Sequence, residues 1–255
     1  ALVSAGFTAP SQFRVTAARG WSQRHRTQIA AVAPGPSWSQ WLRGSVPERR
    51  RSARAAAEWV LALQQAPVAL ADRTGYRSLA GMRTEVERLL AELPDSGPEL
   101  PWILDEASHR FKITDDPAHR VPSHGDFHPN NLHLLPGSKL VATALDLDTA
   151  GLRRPSYDVG YAIAMLLVSS WMHTGSFTAG ADAAGVFWRR WVLGGADLEG
   201  VPAEIARALI QSLHFELVTY RTGNLQILPL WTALAREALQ VGVEGMLALA
   251  KGIQS

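Results

Sequence analysis

Hydrophobic and polar positions along the chain change rhythm from one region to the next. Two short half-apolar stretches, "FRVTA" at 13–17 and "TQIAAVA" at 27–33, with Gly20 and Ser22 between them, predict a hairpin or two adjacent strands. "PGPS" at 34–37 breaks the chain. A helix then starts. Ser45 suits an N-cap, Glu48 stands three residues on as in a capping box, and Pro47 is tolerated in the first turn. Ala56, Trp59, Val60 and Leu63 recur at helical spacing. A second helix fits 79–93, where Leu79, Met82, Val86, Leu89, Leu90 and Leu93 form one stripe. "PDSGPELP" at 94–101 reads as a loop or linker. Further on, "NLHLL" and "LVATALDL" flank "PGSK" at 136–139, which predicts a β-hairpin with a turn of about four residues. After "GLRRPS" the pattern is helical to the end, over about 157–172, 179–193, 202–221 and 228–250. No internal repeat interrupts this order. The expected fold class is α+β: a short β piece, two helices, a polar hairpin and a helical bundle.

Composition narrows the classes. A chain of 255 residues with 47% hydrophobic and 19% charged residues buries a substantial core and is not disordered. It has no cysteine, which excludes disulfide and thiolate chemistry and fits a reducing, cytoplasmic setting. No apolar run is long enough to span a membrane, and the first residues do not read as a signal peptide. The pI near 9.2 reflects 22 arginines against three lysines, yet the formal charge is only +2 and demands no nucleic-acid partner. The densest basic run, Arg43 to Arg54, reads as the solvated first turns of a helix. The chain starts without methionine, which points to processing or a fragment.

The polar hairpin opens with "HGDFHPNNLHLL", His124 to Leu135. Three chemical readings fit it. His124, His128 and His133 offer nitrogens for zinc, although Gly125 and Pro129 argue against the single helix face their spacing suggests. A polar turn whose histidines bond backbone groups is the second. The third uses more residues. Asp126 stands five before Asn131, and Asp146 stands fifteen beyond Asn131 at the end of an apolar strand. A hairpin that folds back gathers all three on one edge. Oxygen ligands of this kind suit magnesium, and the remaining carboxylate, Asp126, suits orienting a hydroxyl and taking its proton, which is what phosphoryl transfer requires.

"HGDFHPNN" followed by "LDLD" resembles the catalytic and metal loops of the aminoglycoside phosphotransferase and choline kinase-like family, small-molecule kinases with a protein-kinase-like fold. The resemblance implies a small β lobe over 1–36, including the hinge, and a helical C-lobe over 37–255, with a catalytic loop at 124–131 and a metal loop at 145–149. It implies that Asp126 is the catalytic base and that Asn131 and Asp146 bind Mg2+. His124 and Gly125 would shape the loop, and Asp158, in "RRPSYDVGYAIAMLL", would hydrogen-bond it from the first turn of a helix. A carboxylate there also simply suits the helix dipole. Asp148 matches the second acidic position and equally suits a solvent-facing site. His128 and Asn130 receive no role. Trp38 and Trp41 fall where the family joins its lobes and read as packing residues. The implied reaction moves phosphate from ATP or GTP to a hydroxyl of a small molecule. An amine-bearing acceptor would meet acidic groups of the C-terminal helices, for which Glu216, Glu237 and Glu244 are available, although solvent-facing helix charges describe them as well.

The front of the chain departs from the pattern. No lysine occurs before Lys112 and no glycine-rich loop precedes the first helix. The small β lobe therefore reads as truncated to its last two strands. A missing front segment, a shortened relative acting as a pseudokinase-like binding module, or an arginine substitute such as Arg14, Arg24 or Arg26 each accounts for this. A shortened lobe exposes strand edges, so a homodimer contact covering it is expected.

Overall fold

A computed structural model describes residues 1–24, 27–73, 78–94, 99–114, 116–194 and 198–253; Arg26 lies outside the described residues. Four elements come before the long helices: strands β1 (Phe13–Val15), β2 (Ala18–Ser22) and β3 (Thr27–Ala30) and the short helix α1 (Trp38–Leu42). Helices α2 (Val46–Gln64), α3 (Leu79–Glu92) and α4 (Glu99–Thr114) follow. Four short strands carry the polar region: β4 (Val121–Ser123), β5 (Leu132–Leu135), β6 (Val141–Ala144) and β7 (Gly151–Arg153). The remainder is helical: α5 (Ser156–Thr174), α6 (Thr178–Val192), α7 (Val201–His214) with a π-turn at Phe215–Thr219, α8 (Ile227–Val241) and α9 (Val243–Gly252).

The helix start at Ser45 forms as the sequence predicts. Its N–H and hydroxyl both donate to Glu48 Oε2 at 2.7 Å. Ala56, Trp59, Val60 and Leu63 turn inward as one face. Trp59 lies parallel to Phe127 with centroids 5.3 Å apart, and Trp38 and Phe187 close the aromatic cluster. Trp38 is thus a packing residue.

Several elements differ from expectation. The first predicted strand meets the stretch at 27–33 only at its last residue, where the Ala17 carbonyl accepts the Ala31 N–H at 2.9 Å. β1 runs parallel to β6, with Phe13 opposite Ala142 and Val15 opposite Ala144, while the hairpin is formed by β2, which contains Gly20 and Ser22, and β3. Residues 99–101, taken as linker, open α4; Pro101 sits in its first turn, where a missing N–H costs nothing. The single helix expected over 228–250 is broken at Gly242, whose φ of 94° ends α8. The 202–221 segment leaves α geometry at Phe215.

The hairpin that matters for chemistry is β5–β6, antiparallel with Leu132 opposite Ala144 and Leu135 opposite Val141. Leu132 and Leu134 face the core while His133 and Leu135 lie further out, the alternation of a half-buried strand. β4 and β7 form a separate antiparallel pair beside it. α5 and α7 lie behind and cross closely at Gly160, where an added Cβ would stand 2.4 Å from Glu204 Cβ. No helix of the described residues is long and apolar enough to cross a membrane.

Candidate active site

The pairing of β5 with β6 sets the site. Leu145, just past β6, donates its N–H to the carbonyl of Asn131, just before β5, at 2.9 Å. Asn131 Nδ2 donates to the carbonyl of Asp126 at 3.0 Å, and its N–H to that of His128 at 2.9 Å, closing the turn between Asp126 and Asn131. Asp146 follows Leu145 with φ of 54°, a left-handed conformation uncommon outside glycine, and its side chain is exposed. Strain of this kind costs of order 1–3 kcal/mol and gathers at functional sites. Asp126, Asn131 and Leu145 therefore share one hydrogen-bonded cluster at the open end of the hairpin, and Asp146 is the next residue along the chain.

His124 ties the two loops together. Its buried ring places Nε2 2.7 Å from the Leu145 carbonyl. A carbonyl only accepts, so Nε2 carries the proton, and Nδ1 is left to accept the Asp126 N–H at 3.3 Å. The imidazole is neutral in this arrangement. Burial holds its pKa below the ordinary 6.5, against the pull of Asp158, the Leu145 carbonyl, Asp126 and Asp146.

Asp158 lies in the first turn of α5, fully buried. Oδ2 accepts the His124 N–H at 2.6 Å and Oδ1 the Gly125 N–H at 2.8 Å. Burial pushes this carboxyl up; His124, the two backbone donors and Arg153 pull it back without cancelling the burial. Gly125 is required twice over. Its φ is 84°, and an added Cβ would stand 2.3 Å from the Thr149 carbonyl oxygen. Thr149 in turn donates its hydroxyl to the His124 carbonyl at 3.1 Å.

The other predicted residues fall as follows. His128 Nε2 lies 3.9 Å from Asp126 Oδ2, and its ring stands edge-on to Tyr161. Asn130 and Asp148 are exposed. His133 points away, with Nδ1 2.8 Å from the Gly35 carbonyl. With His124 and His133 engaged on separate carbonyls, the three histidines make no zinc cage. Among the described residues no group of three or more His, Cys, Asp or Glu side chains is placed to hold a metal. Arg14 Nε bonds the Ser11 carbonyl from β1, and Arg24 is exposed in the β2–β3 turn. Glu216 belongs to the π-turn, Glu237 to α8 and Glu244 to the first turn of α9, the last exposed. Sequence reasoning passed over Thr149 and Arg153. The one hint was the arginine pair of "GLRRPS" standing among apolar neighbours, since Arg153 is almost wholly buried.

Comparisons with known proteins bear on the family and the fold. The family model described as APH, Phosphotransferase enzyme family, matches residues 16–208. A comparison with curated proteins gives no match. Among solved structures, a thermostable mutant of aminoglycoside phosphotransferase APH(4)-Ia is 17% identical with a TM-score of 0.59, covering 95% of this chain and 82% of its own. A glucosamine kinase is 14% identical with a TM-score of 0.59, covering 94% and 68%. Aminoglycoside phosphotransferase APH(3'')-Id from Streptomyces rimosus, solved with ADP and streptomycin, is 16% identical with a TM-score of 0.51, covering 84% and 79%. At these identities the likeness speaks for the fold, a mostly helical α+β architecture with small sheets. With three quarters of its length matched by one family model, this chain belongs to the phosphotransferase enzyme family.

Proposed function

We propose that the protein transfers the γ-phosphoryl group of ATP or GTP to a hydroxyl of a small molecule, with magnesium as cofactor. The observation that carries this reading is the hydrogen-bonded closure of Asp126, Asn131 and Leu145 at one end of the β5–β6 hairpin, which sets Asp146, the residue after Leu145, at that same end. Asp126 is half-buried, and its carboxylate orients the acceptor hydroxyl. As the acceptor oxygen bonds to phosphorus, the bond from phosphorus to the bridging oxygen breaks, the nucleoside diphosphate leaves, and Asp126 takes the hydroxyl proton. Asn131 spends its Nδ2 on the Asp126 carbonyl, which leaves Oδ1 as its donor oxygen. That oxygen and the exposed Asp146 carboxylate form an all-oxygen set suited to Mg2+. Magnesium, when bound, neutralises charge on the phosphate oxygens. His124 and Asp158 keep the loop backbone fixed.

The fold neighbours named for glucosamine and streptomycin support an acceptor of the hydroxyl-rich, amine-bearing kind. We read residues 1–36 as the small β lobe with its hinge and 37–255 as the C-lobe, in a cytoplasmic protein, with a homodimer covering the β edge. A binding module without transfer is the second reading, favoured by the absence of any lysine before Lys112.

Thermal denaturation tests the proposal. At a hundredfold excess over Kd, Mg-ATP or Mg-GTP stabilises by about 2.7 kcal/mol, a rise in Tm of roughly 5 to 10 °C. Asp146→Ala removes the magnesium-dependent part of the rise. A wild-type Tm that ignores both nucleotides overturns the reading. A rise with no phosphate transfer to a panel of aminoglycosides and amino sugars selects the binding module.

A further inference from the structure

We propose that Arg153 is a positioning residue that locks the catalytic loop at 124–126 to the acidic loop at 145–150; its catalytic meaning rests on the phosphotransfer reading of those loops. Arg153 ends β7 with about 1% of its surface exposed. Its guanidinium works as a fork. NH2 donates to the Thr149 carbonyl at 2.7 Å and NH1 donates to the Arg73 carbonyl. Arg73 belongs to an extended strap, 71–73, that docks along β7. Asp72 bridges Leu152, the Leu152 N–H donates to the Ala71 carbonyl at 2.8 Å, and the Arg73 N–H donates to the Leu152 carbonyl at 3.3 Å.

From Thr149 the connection runs straight into the catalytic loop. The residue whose carbonyl Arg153 holds uses its hydroxyl to hold the His124 carbonyl. The same guanidinium fills the space beside Gly125, where an added Cβ would stand 2.7 Å from NH2. The small residue in "HGD" and the large one in "LRR" are thus two halves of one contact.

The fork is itself anchored. The Tyr157 ring lies 4.5 Å from the Arg153 guanidinium carbon, within cation–π range. Arg207 of α7 approaches the same ring at 4.7 Å and is held by Glu204 at 2.6 Å. A lysine carries the charge but not the planar fork, so it cannot grip both carbonyls in the same geometry.

Hydrogen exchange on the ligand-free protein tests this independently of any activity. In Arg153→Met, amides of 124–126 and 145–150 are expected to exchange at least tenfold faster, while those of α8 and α9 keep their wild-type rates. Arg153→Lys falls between the two. Thr149→Val, which keeps the shape and cuts only the hydroxyl contact, loosens 124–126 alone and serves should Arg153→Met fail to fold. Unchanged loop exchange in a folded variant, or acceleration spread evenly over the whole chain, overturns the proposal. Mg-ATP turnover, measured alongside, is expected to lose kcat by tenfold or more with KM little changed. Failure of wild type to turn over or bind both Mg-ATP and Mg-GTP sinks the phosphotransfer reading, and the exchange pattern still decides whether Arg153 locks the loops.

Discussion

Among the described residues two carboxylates vanish from solvent, and their surroundings treat them in opposite ways. Asp158 at the catalytic loop and Glu204 in α7 are both fully buried. Burial pushes both upward. Around Glu204 the guanidiniums of Arg207, at 2.6 Å, and Arg154, at 2.7 Å, overcome that push, and the carboxyl ends below its ordinary range. Around Asp158 the closest donors are two neutral backbone N–H groups, and the carboxyl ends above it. Glu204 is held by full opposite charges and ties the segment between β7 and α5 to α7. Asp158 is held by the loop it shapes, so its energy is tied to the geometry of that loop.

Removing each carboxylate separates the two roles. Glu204→Leu leaves two guanidiniums facing an apolar wall, and loss of one partner of a buried pair costs about 3–5 kcal/mol. Urea denaturation is expected to show that loss, with transfer activity of the folded fraction falling far less than in Asp158→Asn, because Glu204 reaches the loop only through Arg207, Tyr157 and Arg153. Replacing Arg207 by leucine as well returns part of the stability, because apolar substitution of a whole buried pair is often neutral. Asp158→Asn does the reverse. An amide offers one acceptor where the loop needs two and turns its NH2 toward a backbone N–H. Activity is expected to fall about 100- to 1000-fold, the scale of losing one preorganised group. The unfolding free energy falls by only about 1–3 kcal/mol. Equal loss of stability in both variants would erase the distinction.

The smallest effect is in pH. His124 is neutral when folded, and its pKa lies below the unfolded value of 6.5. The folded state thus binds fewer protons than the unfolded state in the window beneath 6.5. Stability from this group is complete above that pH and is lost as pH falls through the folded pKa. The Tm of wild type is expected to drop faster on acidification than that of His124→Asn. Parallel curves would show that His124 is not the group that must charge.

Much of the site was legible because its chemistry is local. "HGDFHPNN" fixes a turn closed within eight residues, "PGSK" fixes the hairpin, and the hairpin register then brings "LDLD" to the same end. Ser45 and Glu48 announced α2 for the same reason. Asp158 was legible through the resemblance of "RRPSYDVGYAIAMLL" to the family segment, since its position alone suits a carboxylate at a helix dipole equally well. What escaped depends on partners distant in sequence. Arg153 carries no periodic signal, and its purpose is set by carbonyls of Thr149 and Arg73. α4 was hidden by Pro101, a helix breaker that is harmless in a first turn. The strand at 13–15 has the right composition, yet nothing in it names β6 as its neighbour. Gly242 ends a helix whose hydrophobic rhythm continues past it.

That neighbour has a consequence for how the chain acquires its shape. β6 is the middle strand of its sheet, with β5 on one side and β1 on the other. During synthesis β1 waits unpaired until the ribosome has delivered residue 144 and released it from the exit tunnel. Closing so long a loop is slow, because its entropy is lost before any contact rewards it. β1, made long before β6, is thus among the last strands to settle, and over that interval a chaperone has its best opportunity to bind it.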